Sequence, residues 1–206
     1  MTRAWLRTFP MSAPPFAIRE PGADPMDSFV AWLTDAFEAG APEPHVGVLS
    51  TEGPDARALL LRDVDPDGWW FSGTARSPKG RQLDANPVAA LTFYWPALGR
   101  QVRVRGLVVV GGADVTARDF LDRSVTARAV ADASRASEVL ADPAEYERAV
   151  ADSPVHTEPG YVPDHWRAWC LQPDEVEFWQ ADPGRRHLRW RYTRGESGWD
   201  RAALWP

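Results

Sequence analysis

The sequence holds a single cysteine, Cys170, among 206 residues. That excludes an intrachain disulfide and, with no companion Cys, a thiolate zinc site; a reducing cytoplasm is the expected compartment. Long apolar runs are also missing, since no stretch reaches the roughly 20 residues that a membrane-crossing helix needs. The first 21 residues are broken by Pro10, Pro14, Pro15 and Pro21 and hold no apolar core of signal-peptide length. Residues 1–23 read as a flexible arm ahead of one domain over 24–206. Positive charge is not in surplus: 23 Lys and Arg stand against 29 Asp and Glu, a net charge of -6. A nucleic-acid partner, which needs a basic surface, is disfavoured. The four histidines, at 45, 156, 165 and 187, lack metal-ligand spacing, so no metal is expected. No P-loop, Gly-rich dinucleotide fingerprint, zincin helix or nucleophile elbow is present.

What is present suits one globular domain, with 44% hydrophobic and 25% charged residues. Eleven Trp serve either core and dimer-interface packing or stacking on a planar ligand. From Asp24 to Gly40 the grammar is helical: Asp24 caps, Pro25 opens, Phe29, Leu33 and Phe37 recur at spacing four, and Gly40 terminates. Extended segments follow at Val46–Ser50, Ala58–Arg62, Trp69–Ser72, Val88–Trp95 and Gln101–Val110, joined by short turns that suggest a meander. One helix, Ser77–Ala85, interrupts them. Residues 116–153 suggest two or three helices, and strands resume at Trp166–Leu171, Glu175–Gln180 and His187–Thr193. The expected fold is mainly β with peripheral helices, a six- or seven-stranded antiparallel barrel.

The chemistry-bearing residues are cationic. Arg57 and Arg62 bracket one strand, and Lys79 lies in the first turn of a helix. A helix N-terminus beside such cations is either a phosphate site or solvated surface charge. Gln101, Arg103 and Arg105 share one strand face, which must meet water or an anion. Alternation places Arg185, His187, Arg189 and Arg191 on one side of another strand.

Several stretches carry a family resemblance: Glu43-Pro44-His45, Arg57-Ala58-Leu59-Leu60-Leu61-Arg62, Ser77-Pro78-Lys79-Gly80, Asn86-Pro87, Phe93-Tyr94-Trp95, Arg100 through Gly106, and Pro173 through Gln180 with its Glu-Phe-Trp-Gln ending. With Arg185, His187 and Arg189 following, the chain resembles the pyridoxamine 5'-phosphate oxidase family from about Asp24 to Pro206. The resemblance implies an FMN-binding split β-barrel of Greek-key type, working as a homodimer with FMN at the subunit interface. It implies an oxidase that passes hydride from a planar cyclic or amine substrate to FMN, with dioxygen as acceptor. Carried over by position, FMN contacts fall to Arg57, Leu59, Leu60, Leu61, Arg62, Lys79, Gln101, Ser137, Trp179 and Arg189. Ser72, Gly73, Pro78 and Ala136 occupy further cofactor positions but depart from the family pattern. Pro78 replaces an Arg and Ala136 a Gln, and at all four positions backbone contacts are the ones expected to persist.

On the substrate side, the family's phosphate clamp of Lys, Tyr, Arg and Ser aligns with Arg62, Asp119, Arg123 and Ala127. Two of four are lost, and Asp119 puts a negative charge where a dianion would lie. Arg185 and His187 keep the ring-contacting, catalytic pair, with Arg186 between them in place of the usual Leu. The expected substrate is therefore a small molecule other than a B6 phosphate, for example a dihydroaromatic intermediate of phenazine type. The alternatives are a true pyridoxine/pyridoxamine 5'-phosphate oxidase, or a non-catalytic flavin, heme or deazaflavin module.

Overall fold

A computed structural model describes residues 18–206. Helix α1, Pro25–Glu38, opens as the sequence predicts, with the Asp24 carboxylate accepting from the Met26 and Asp27 N–H groups. Its inward face differs: Phe29, Trp32 and Ala36 are buried, whereas Phe37 is 74% exposed. The true stripe follows i, i+3 and i+7, not a strict spacing of four. Arg100 fastens this helix to the sheet, since its guanidinium donates to Asp35 at 2.7 Å and stacks 4.7 Å from the Trp32 ring.

The strands are β1 Val46–Thr51, β2 Asp55–Leu60, β3 Asp63–Asp65, β4 Gly68–Thr74, β5 Val88–Trp95, β6 Arg100–Val110, β7 Trp166–Gln180, β8 Leu188–Gly195 and β9 Gly198–Ala203. Helix α2, Pro78–Ala85, separates β4 from β5, and α3 Ala113–Leu121, α4 Val125–Ala133 and α5 Pro143–Ala151 lie between β6 and β7. All nine strands form one antiparallel sheet of order β2-β1-β5-β6-β7-β4-β3, with β8 and β9 added beside β7. Two short strands, β3 and β9, go beyond the six or seven expected. The order also departs from a meander, because β5 returns to pair with β1 while β4 pairs with β7. The chain between β2 and β3 touches both ends of the sheet: the Leu61 N–H donates to the His45 carbonyl and the Arg62 N–H to that of Trp70. One run of backbone thus curls the sheet into a split barrel.

Strand β7 was expected as two segments and is one. Arg105 pairs with Glu175 but Gly106 pairs with Pro173, leaving Asp174 as the extra residue of a bulge. A Cβ on Gly106 would stand 2.0 Å from the Gln172 carbonyl oxygen, so the bulge requires glycine there. The extra residue switches which parity faces inward: Trp169 and Leu171 enter the core before it, Val176 and Phe178 after it. Most Trp are packing residues, with Trp32, Trp69, Trp95 and Trp169 in the core cluster. Trp179, beyond the bulge, points outward and is half-buried.

The expected arm spans residues 1–23, of which 1–17 lie outside the described residues. From Arg19 to Gly22 the backbone is held against the barrel, where the Arg19 N–H donates to Gln180 and the Tyr192 hydroxyl to the Gly22 carbonyl. Among the described residues no helix is long and apolar enough to cross a membrane, and no cluster of potential metal ligands occurs.

Candidate active site

One group of candidate residues gathers where β2, β4 and α2 meet. Ser77 caps α2, its hydroxyl accepting from the Gly80 N–H and from Lys79 Nζ. Lys79 stands 5.9 Å over the Trp169 ring and beside Gly73, where a Cβ would meet Nζ at 2.7 Å. Burial, with Arg57 nearby, pushes the Lys79 ammonium below its ordinary range, and among the described residues it has no carboxylate partner. Arg57 is braced by the Leu49 carbonyl, Thr51, Asp55 and Gln82. Two adjacent cations at a helix start, with one lacking an ion pair, form a cradle for an anion. Leu59 packs on the core, Leu61 is buried and Leu60 is exposed. Strand β2 ends the sheet path, so its outward backbone groups are free to meet a ligand.

A second cluster is built around Asp119 on α3. Its carboxylate accepts from Arg62 Nε at 2.7 Å, from Trp166 Nε1 at 3.0 Å and from Arg123 at 3.4 Å. Burial would raise its pKa, but the Arg62, Trp166 and Ser72 hydrogen bonds and the Arg123 charge outweigh that and hold it low. Arg123 also donates to the Ser72 hydroxyl at 2.8 Å and stacks 4.6 Å from the Trp166 ring. Ser72, an expected cofactor position, therefore touches the expected substrate clamp. Arg62 and Asp119 line a cavity of about 490 Å³ with Trp70, Phe71 and Cys170.

A third group lies across β6, β7 and β8, where Gln101, Trp179 and Arg189 stand side by side in register. Arg189 forks onto Glu177 through Nε at 2.9 Å and Nη2 at 2.7 Å, and Arg103 reaches the same carboxylate at 2.9 Å. The anion that the Gln101–Arg105 face was expected to meet is thus supplied by β7, with Glu175 and Asp174 facing Arg105. The expected strand start at His187 is corrected to Leu188. Arg185, exposed and at φ 60, and His187 belong to the preceding turn, so strand alternation does not align them. His187 nevertheless packs 4.9 Å from the Trp179 ring, and its Nδ1 accepts the Asp182 N–H at 3.2 Å. The neutral ring therefore carries its proton on Nε2. Arg186 is exposed, its N–H bonded to Asp182. Ser137, at φ 70, and its neighbour Ala136 line a separate hollow of about 200 Å³, away from the other candidate residues.

The family model for pyridoxamine 5'-phosphate oxidase matches residues 33–180. The chain belongs to the pyridoxamine 5'-phosphate oxidase family. It is an FMN-dependent oxidoreductase of that family with the family's split barrel. A second model, the pyridoxine 5'-phosphate oxidase C-terminal dimerisation region, matches residues 166–206 and supports a homodimer. Pyridoxine/pyridoxamine 5'-phosphate oxidase of Thermosynechococcus vestitus is 42% identical over 188 residues, 89% of each chain. Its counterpart from Burkholderia multivorans is 40% identical over 191 residues, again 89% of each chain. Among solved structures, PhzG from Burkholderia lata in complex with tetrahydrophenazine-1-carboxylic acid superposes with a TM-score of 0.87 at 26% identity, covering 94% of this chain and all of that one.

In this oxidase, the Lys79–Arg57 cradle, the free edge of β2 and the Gln101–Trp179–Arg189 row fit a phosphorylated flavin. Several residues of the site carried no assigned role in the sequence reading. Gln82, which braces Arg57, sits on α2 without any local signal, and Trp166 reaches Asp119 across 47 positions of sequence. Glu177 was visible inside the Glu-Phe-Trp-Gln motif, but its partners were not.

Proposed function

We propose that this protein is a homodimeric FMN oxidase, with each flavin held between two chains, acting on a planar, partly reduced ring compound that lacks a B6 phosphate. A dihydroaromatic carboxylate is the class we favour. The observation that carries the substrate reading is Asp119 seated between Arg62 and Arg123. With Ala127 offering no hydroxyl, the clamp holds two cations and one anion, a net charge suited to a monoanion and poorly matched to a dianion. The PhzG relative holds tetrahydrophenazine-1-carboxylic acid, a reduced ring bearing one carboxylate.

The shared-site reading rests on β7. Lys79 packs over Trp169, ten residues before Trp179 on the same strand, a rise of about 33 Å at roughly 3.3 Å per residue. FMN is far shorter, so the two groups converge only if a second copy supplies one of them. When bound, FMN supplies a two-electron hydride acceptor that dioxygen restores, with release of hydrogen peroxide. Trp179 and His187 form one wall of the substrate space. His187 presents Nε2–H as a hydrogen-bond donor to a ring heteroatom or carboxylate, its Nδ1 being occupied by the Asp182 N–H. Exposed Arg185 offers the cation that orients an anionic substrate. The single Cys170, buried and unpaired, accords with a cytoplasmic setting.

A second reading, oxidation of pyridoxine or pyridoxamine 5'-phosphate, is favoured by the names of the relatives and by the two clamp cations, the retained Arg123 and Arg62 in place of the family's Lys. Turnover of pyridoxine 5'-phosphate by the parent and by Asp119→Tyr/Ala127→Ser separates the two. Our reading expects poor parental turnover and a gain in the double variant; family-typical parental turnover refutes it.

A further inference from the structure

Glu177 is 5% exposed on the outward face of β7. A buried carboxylate is costly unless donors surround it, and here three N–H groups do, two from Arg189 and one from Arg103. Its choice of partner is informative. The residue directly opposite Glu177 on β8 is Arg191, yet Glu177 takes the diagonal Arg189, which stands opposite Trp179. Arg191 is exposed and, among the described residues, has no ion-pair partner. A ladder serving the sheet alone would use the direct neighbour. Arg189 is held on its other side too, Nη1 donating to the Trp205 carbonyl at 3.1 Å. Three of its five N–H groups are thereby fixed, and two are left to face a ligand beside Trp179.

We propose that Glu177 is a positioning residue of the flavin site: it parks the Arg189 guanidinium beside Trp179 and tempers its charge, setting how much more tightly reduced FMN is held than oxidised FMN. This rests on the reading that the Gln101–Trp179–Arg189 row faces FMN. Reduced flavin carries added negative charge, so an Arg189 with less compensation favours the reduced form.

The test is the midpoint potential of the FMN-loaded protein, measured against a reference dye, for Glu177→Gln, Arg189→Gln, Arg191→Gln and the Glu177→Gln/Arg189→Gln pair, with thermal melts of each. Glu177→Gln is expected to tilt the reduced-to-oxidised affinity ratio about tenfold toward reduced FMN, about 30 mV upward for two electrons. Arg189→Gln is expected to move it downward and Arg191→Gln to leave it in place. In the Arg189→Gln background, Glu177→Gln should lose more than half its shift. A ratio within threefold of the parent in Glu177→Gln, or an undiminished shift in the pair, overturns the inference. If Glu177→Gln does not fold, equal potentials for Arg189→Gln and Arg191→Gln overturn it. A parent protein that takes up no FMN instead overturns the flavin reading beneath it.

Discussion

A site divided between two chains makes a prediction that a site within one chain cannot share. Lys79→Met removes the buried ammonium from the Lys79–Arg57 cradle, and Trp179→Ala removes the aromatic wall from the other group. Loss of a charged hydrogen-bond partner costs about 1.5–3 kcal/mol, roughly ten- to 150-fold in FMN affinity. Each homodimer, titrated with FMN at a concentration near the parental Kd, is therefore expected to stay nearly empty. The two altered residues belong to regions about 33 Å apart along β7, taking Trp169 as the place of Lys79. In a mixed dimer with two-fold symmetry, one interface site then carries both lesions and the other carries neither. Mixed dimers purified through two different tags should bind half the parental load at the same FMN concentration. Flavin absorbance against protein concentration measures it. Mixed dimers that bind no FMN, as two separately damaged single-chain sites would, rule out a site shared between chains.

Removing the clamp's own anion in Asp119→Asn should tighten pyridoxine 5'-phosphate binding; a unit charge pair near 4 Å is worth about 1–4 kcal/mol between water and a half-buried setting, so a gain of about 30-fold is expected in calorimetry, and a change under threefold counts against the clamp argument. Asp35 and Asp119 both titrate below the ordinary carboxylate range when folded; their contribution to stability is complete above about pH 4 and is lost as pH falls through their folded values, so acid unfolding followed by circular dichroism should be less steep in Asp119→Asn. Lys79, depressed by burial and by Arg57, is charged at a cost in the empty protein, so Lys79→Met should raise the Tm of the FMN-free form while weakening FMN binding. The Cys170 thiol is pushed up to about 12, mainly by burial, so at pH 8 it should react with a thiol reagent about a thousandfold more slowly in the folded protein than after unfolding.

The helix caps and the β5 and β6 segments were legible because each is signalled locally, by Asp24-Pro25, Ser77-Pro78 or alternation, whereas the flavin-cradle positions came from the family resemblance. What escaped depends on long-range pairing. Strand β3 is three residues long, and β9 is defined only by its pairing with β8. The Asp174 bulge could not be read from β7, because its cause lies at Gly106 on β6. Alternation failed at Arg185 because its left-handed backbone belongs to a turn. For the site, the family resemblance aligned Asp119 with a phosphate-clamp position, where its charge opposes a dianion. Only the geometry shows where that charge goes, onto both cations that a phosphate would need.

Under the proposed function, this family member oxidises a reduced ring compound lacking the B6 phosphate. Oxygen uptake by the FMN-loaded dimer, measured with pyridoxine 5'-phosphate and with a tetrahydrophenazine carboxylate side by side, tests it most directly. A kcat/KM at least about 100-fold higher for the carboxylate is expected, some 3 kcal/mol of discrimination. A preference of that size for pyridoxine 5'-phosphate would contradict it.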